Sequence, residues 1–251
     1  LIFKMTIKEP KRGRFDPPNA KPEMPTLKET FTAILGKPTF WIVAMGCAVA
    51  SFVGYATFVW GAAYFVRNFD LAPTIGEETL IVSYFSAFII GIAASIGTII
   101  GGRLADRFGQ KDIRAYVTIP AIALILAVPL NIWGLSVNDA FLAAAIVLIP
   151  TLLGSMWYGP LFGVVQNLVE PRMRAMAVAI LFFIINLIGL GGGPTITGML
   201  SDFFTTEFGP ALGLRYALMA VCGFGILAGM IVWCARFTLA RDMEAMKPQT
   251  T

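Results

Sequence analysis

The sequence predicts an all-α integral membrane protein with six transmembrane helices, and three observations carry that prediction. Of 251 residues, 57% are hydrophobic and 14% charged, where a soluble domain carries roughly a quarter charged residues. The charges are excluded from six blocks, at 38–66, 79–102, 115–138, 140–169, 175–201 and 216–235. Each block is long enough for the ~20 residues that cross a bilayer as helix. The cations between the blocks are sorted by side. Lys4 to Lys37, Arg103 to Arg114, Arg172 with Arg174, and Arg236 to Lys247 hold 17 of the 19 Lys and Arg, while the alternate connections hold only Arg67 and Arg215. Such a bias places the leading segment, the connection after the second span and the tail in the cytoplasm. The protein is expected to be a multi-pass protein of the cell membrane, in the first instance a bacterial inner membrane. Its basic patches then set topology and meet anionic lipid, which excludes a nucleic-acid partner. Six buried helices of a soluble protein would need a polar exterior that this composition does not supply.

In chain order, residues 1–3 read as the end of a preceding transmembrane helix, with no cleavable signal peptide, and residues 4–37 as a cytoplasmic linker. Pro10, Pro17, Pro18, Pro22 and Pro25 keep the linker from forming one long helix. Its last part, Leu27 to Leu35, has Leu27, Phe31 and Ile34 at i, i+4 and i+7, the pattern of a short amphipathic helix on a membrane surface. A six-helix domain over 38–237 opens at Pro38, a favoured first-turn residue, and 238–251 form a cytoplasmic tail. Small residues recur at fourfold spacing, as Gly46/Ala50/Gly54, Gly91/Ser95, Gly97/Gly101, Gly189/Gly193 and Gly225/Gly229. That spacing fits close helix–helix contact, static or moving. Pro120, Pro129, Pro150, Pro160 and Pro194 interrupt the later helices. Pro160 after Gly159, and Pro194 after three glycines, are the expected bends.

Catalytic chemistry finds no foothold. Cys47, Cys222 and Cys234 fall inside apolar runs without metal-like spacing, and histidine is absent. With no nucleophile–base pair, phosphate-cradling loop or ligand cluster, the sequence is not read as an enzyme, and no metal or cofactor is expected. No Asp, Glu, Lys or Arg stands in the middle of an apolar run, so these six spans offer no obvious proton-coupling carboxylate.

The densest motif is Gly102-Arg103-Leu104-Ala105-Asp106-Arg107-Phe108-Gly109-Gln110-Lys111, read as a tight loop between the second and third spans. Gly102 and Gly109 would allow the chain to turn, and Asp106 is an acceptor at the membrane boundary. A faint echo, Gly198-Met199-Leu200-Ser201-Asp202, ends the fifth span 96 positions later on the opposite side. Three spans repeated with inverted topology is a transporter construction.

The pattern G-x-L-A-D-R-x-G-x-K resembles the signature loop of the major facilitator superfamily, with Gln110 in place of a more usual base. That resemblance implies the C-terminal half of a twelve-helix major facilitator fold, packed against an N-terminal half of the same transporter around a central site. Pro171-Arg172-Met173-Arg174-Ala175-Met176-Ala177, the run Asn186 to Asp202, and Gly54-Tyr55, Trp60 and Arg67 are similar to the Spinster-like branch, whose eukaryotic members export sphingosine-1-phosphate and related lysolipids. The implied activity is alternating-access transport of an amphipathic solute, coupled to protons through the other half. The resemblance makes Gly102, Asp106, Arg107, Gly109 and Lys111 a gating loop, and Arg172 and Arg174 contacts to the other half.

It also favours the first, second, fourth and fifth spans as cavity walls. Ser51, Tyr55, Trp60 and Tyr64 on the first span are the expected lining there. Thr151, Ser155, Trp157, Tyr158 and Gln166 on the fourth join them, with Asn186 on the fifth. Each of these also suits an interhelical hydrogen bond or an interface-belt aromatic. A drug or organic-anion exporter, a non-transporting receptor or scaffold on the same fold, and a homo-oligomeric pore are the alternatives. The pore is disfavoured by the lack of a charged ring or polar filter.

Overall fold

In the computed structural model, residues 25–69 and 77–246 are described, the side chains of 77–90 excepted. Residues 1–24 and 247–251, and with them most of the expected linker and the end of the tail, lie outside the described residues. Helix α1, Leu27–Leu35, is bounded by a capping box: Glu29 N donates to Thr26 Oγ1 at 3.2 Å, and Thr26 N to Glu29 Oε2 at 3.0 Å. The chain then forms α2 (Pro38–Asn68), α3 (Glu77–Gly109), α4 (Ala115–Ser136), α5 (Ala140–Ser155) and α6 (Tyr158–Asn167). After a 3₁₀ turn, Pro171–Met173, come α7 (Arg174–Ile185), a π-helical segment (Asn186–Leu190), the long α8 (Gly191–Cys234) and α9 (Leu239–Glu244).

Pro38–Asn68, Ala115–Ser136, Ala140–Asn167 and Pro171–Phe237 are each long and apolar enough to cross a membrane. The last, at 67 residues, holds two spans. Its direction changes at Gly209, where φ is +80°, a region open to glycine, and Pro210 follows. Gly213 lies against the backbone of Thr205, so the chain has doubled back. With α3 this makes six long helical stretches among the described residues, the number of spans that the sequence predicts.

The 33 residues of α3 correct one expectation. At ~1.5 Å per residue the helix is about 50 Å long, well beyond the ~30 Å hydrocarbon layer. It therefore carries the charged motif on its own final turns. Arg103, Asp106 and Arg107 are helical, and the connection to α4 is only 110–114. Asp202 likewise lies inside α8, seven residues before the change of direction at Gly209.

The bundle is built on α2, which packs against both arms of the last stretch. A Cβ at Gly46 would meet Val232, one at Gly189 would approach Ser51 Cβ to 2.8 Å, and one at Gly193 would strike the Phe52 carbonyl. On α4, Val128 and Ala121 press against Gly225 and Gly229. Gly97 and Gly101 of α3 meet the carbonyls of Leu152 and Met156, the same four-residue step on both helices. Gly54 and Gly91, by contrast, face open space. Fully buried Phe40, Val43, Cys47, Leu161, Val165, Leu181 and Val232 form the main core, and Tyr64, Leu135, Leu214, Leu218 and Cys222 a second at the far end.

Candidate functional site

Two prolines shape the open face between the first, fourth and fifth spans. Pro194 has no N–H and its ring crowds the carbonyl four residues earlier. The chain relieves that by widening into the π segment just before it. Asn186 opens this segment, exposed, with Nδ2 donating to the Phe182 carbonyl at 2.8 Å. Its Oδ1 accepts from Tyr55 Oη at 3.1 Å, linking the first and fifth spans. Pro160 cannot donate back to Met156, and the fourth span breaks there into α5 and α6. At the break Trp157 turns into the core, while Tyr158 points outward and is 44% exposed.

The Trp157 and Tyr158 rings stack with centroids 4.0 Å apart and planes 21° off parallel. Phe162 continues the stack, and Phe182 closes it at 5.1 Å. Tyr158 has Tyr55 and Cys47 of the first span in its neighbourhood. The result is a wall with three uncharged hydrogen-bonding heads, Tyr55, Tyr158 and Asn186, bordered by an aromatic shelf. Its chemistry is orientation by hydrogen bonds and by contact with ring faces.

Several expected lining residues are spent elsewhere. Ser51 is buried beneath Gly189. Trp60 is half-buried, its Nε1 donating to the Pro194 carbonyl at 2.9 Å. Tyr64 is 2% exposed and donates from Oη to the Leu135 carbonyl at 3.1 Å, one of the orphan acceptors at the end of α4. Thr151 and Ser155 bond back to the carbonyls of Val147 and Thr151, at 2.7 and 2.8 Å. Trp157 supports Tyr158 from behind. Gln166 lies eight residues from Tyr158, about 12 Å along the helix, and its backbone carbonyl accepts from Arg174 Nε at 3.2 Å. The structure therefore brings Tyr55, Tyr158 and Asn186 together and places Ser51, Tyr64, Ser155 and Trp157 in the packing. Phe162 and Phe182, which complete the shelf, carry no sequence signal beyond being apolar.

At the charged-motif end, Tyr116 Oη donates to Asp106 Oδ1 at 2.9 Å, and its ring lies against Gly109, where a Cβ would collide with it. The phenol of α4 thus pins the end of α3. Gly102 is helical and half-buried beside Gly159, with room for a Cβ of its own, and Arg107 and Lys111 are exposed. Arg172 Nε donates to Glu170 Oε2 at 2.8 Å. Tyr116 is the partner of Asp106 that sequence reading missed, although its place in the first turn of the third span was available.

Residues 1–194 match the family model described as Major Facilitator Superfamily. The chain belongs to that superfamily. It is 30% identical over 211 residues to an MFS-type efflux pump of Mycolicibacterium smegmatis, covering 84% of this chain and 47% of that protein. It is 28% identical over 253 residues to the sphingosine-1-phosphate transporter SPNS2 of Danio rerio, covering 94% and 48%. A bacterial homologue of the human lysosomal transporter Spinster, solved inward-facing and unoccupied, matches with a TM-score of 0.79 at 26% identity, covering 96% of this chain and 56% of that one. The chain spans about half the length of the curated relatives it matches. Superfamily membership and a Spinster-like character are thereby shown.

Proposed function

We propose that the chain forms the C-terminal half of an alternating-access carrier for an amphipathic organic solute, with a lysolipid or sphingoid phosphate as the favoured class. The Tyr55–Asn186 hydrogen bond beside Tyr158 and its aromatic shelf carries this reading. An uncharged wall of this kind can hold the neutral linker region and upper chain of an amphiphile. A charged head and a proton-coupling carboxylate then fall to an N-terminal half, because two phenols and an amide supply neither a carboxylate nor a cation. The similarity to a sphingosine-1-phosphate transporter supports the lipid class. The linker and tail are assigned to the cytoplasmic side on the distribution of Lys and Arg. Asp106, Arg107 and Lys111, with Arg172 and Arg174, are assigned to contacts that form and break with the other half.

A second reading, export of drug-like organic ions, is favoured by the similarity to an efflux pump. Liposomes containing the full-length carrier separate the two. Uptake of a fluorescent lysolipid that is competed by sphingosine-1-phosphate and not by ethidium is the expected result. Ethidium transport without lysolipid transport would favour the exporter, and movement of neither would end the transport reading.

A further inference from the structure

We infer that Tyr116 is the positioning residue of the cytoplasmic gate, holding the Asp106 carboxylate ready for the other half while leaving its charge intact. That role rests on the proposed making and breaking of an Asp106 contact with that half. Tyr116 stands in the first turn of the third span, half-buried at the margin of the main core, and its Oη donates to Asp106 Oδ1 at 2.9 Å. The connection between the two residues is tied down. Lys111 N and Asp112 N both donate to the Phe108 carbonyl, at 3.0 and 3.1 Å, and Asp112 Oδ1 accepts from Arg114 N at 2.9 Å. A ring anchored on the core and reached through a stapled turn gives the carboxylate a fixed direction.

The neutrality of the donor decides what the bond is for. Cations crowd this corner. Arg103 lies three positions before Asp106, a spacing that makes helix neighbours, and Arg107, Lys111 and Arg114 follow, all exposed. Among the described residues Asp106 nevertheless forms no ion pair. A guanidinium would cancel the charge locally, whereas a phenol orients one oxygen and leaves the anion whole. An intact carboxylate at the end of a long helix keeps its attraction for a cation or a helix N-terminus on the other half. Its side chain is also ordered before contact, which lowers the entropic cost of closing. Gly109 fits the same account. It takes no positive φ, so tight turning does not demand a glycine there. A Cβ at that position would instead collide with the Tyr116 ring. The glycine admits the ring that holds the acid.

Hydrogen–deuterium exchange on the full-length carrier in lipid nanodiscs tests this, with Asp106→Asn as the reference for a weakened gate. Asp106→Asn is expected to raise deuterium uptake at the cytoplasmic ends of the fourth and fifth spans, 158–168 and 174–182, and not at the outer bend, 203–215. Tyr116→Phe is expected to raise uptake at the same cytoplasmic ends, with the melting temperature almost unchanged. Gly109→Ala, which displaces the ring, should match it, and Asp106→Asn combined with Tyr116→Phe should match Asp106→Asn alone. Uptake in Tyr116→Phe at or below that of the native carrier, or raised equally at both ends, would overturn the proposal while leaving the Asp106 gate in place. No response to Asp106→Asn would overturn the gate itself, and the role of Tyr116 with it.

Discussion

Tyr55 and Tyr64 sit nine residues apart on one helix, both hydrogen-bonded, and differ in what their bonds do. Tyr55 bonds to an exposed amide on the open face; Tyr64 bonds to a buried helix-end carbonyl. Losing an interhelical hydrogen bond inside a membrane protein costs about 0.6 kcal/mol on average, so Tyr55→Phe and Asn186→Ala are expected to leave thermal stability almost unchanged. Each is expected to raise the apparent KM of the full-length carrier several-fold. Tyr64→Phe should behave the other way, lowering the melting temperature by the equivalent of about 1–3 kcal/mol with KM unchanged. Melting curves and transport kinetics on the same preparations check both arms. Equal loss of folded protein for all three would return Tyr55 and Asn186 to a packing role.

At the scale of elements, the bundle is held by places where one backbone lies on another. Gly97 and Gly101 of α3 against the fourth span, and Gly193 against α2, leave no room for a methyl group. Gly97→Ala or Gly193→Ala is therefore expected to destabilise by about 1–3 kcal/mol, the cost of overpacking. Gly91→Ala and Gly54→Ala, which face open space, should be neutral or slightly stabilising, because alanine is the better helix former. Thermal unfolding of the four variants in one detergent distinguishes them. The fourfold spacing that marks all these glycines in the sequence is the same, and only the neighbouring helix decides which are contacts. The π segment and the α5–α6 break have the same status. Pro194 and Pro160 predict distortions, but widening at Asn186 and the outward turn of Tyr158 depend on what lies across from them.

For the molecule as a whole, the first and last spans are fastened at one end. Asp242 of α9, 5% exposed, accepts from Thr39 N at 3.0 Å and so caps the start of α2 across 203 residues. Thr39 and Thr238 hydroxyls meet at 2.7 Å beside it. Lys37 stands at the same end with its Nζ buried and lacking a hydrogen bond. Burial lowers its pKa below the usual 10.5, and the nearby Asp242 carboxylate partly opposes that. Between the lowered folded value and 10.5 the unfolded chain holds more protons, so stability rises with pH across that window. The melting temperature is expected to climb towards about pH 10 in the native protein and to stay flat over the same range in Lys37→Gln. Asp242→Ala should cost about 1 kcal/mol, the worth of a helix cap. A Lys37→Gln profile parallel to the native one would remove Lys37 from the account.

The spans, their number and the superfamily are legible without any structure. Exclusion of charge from ~20-residue blocks is forced by the bilayer, and short-range motifs such as that from Gly102 to Lys111 are written contiguously. Tyr55, Tyr158 and Asn186 are legible too, because their polarity stands out in apolar helices. Sequence alone could not separate them from Ser51, Tyr64, Ser155 and Trp157. Inside a membrane domain a polar or aromatic side chain is equally at home on a cavity wall and on a helix–helix contact. Packing divides them, by burying Tyr64 against the Leu135 carbonyl and leaving Asn186 exposed where it meets Tyr55. Packing likewise makes Tyr116 hold Asp106 and Asp242 cap a helix at the other end of the chain. Most of those contacts join residues far apart in sequence. They are fixed by which helix faces are brought together and not by local pattern.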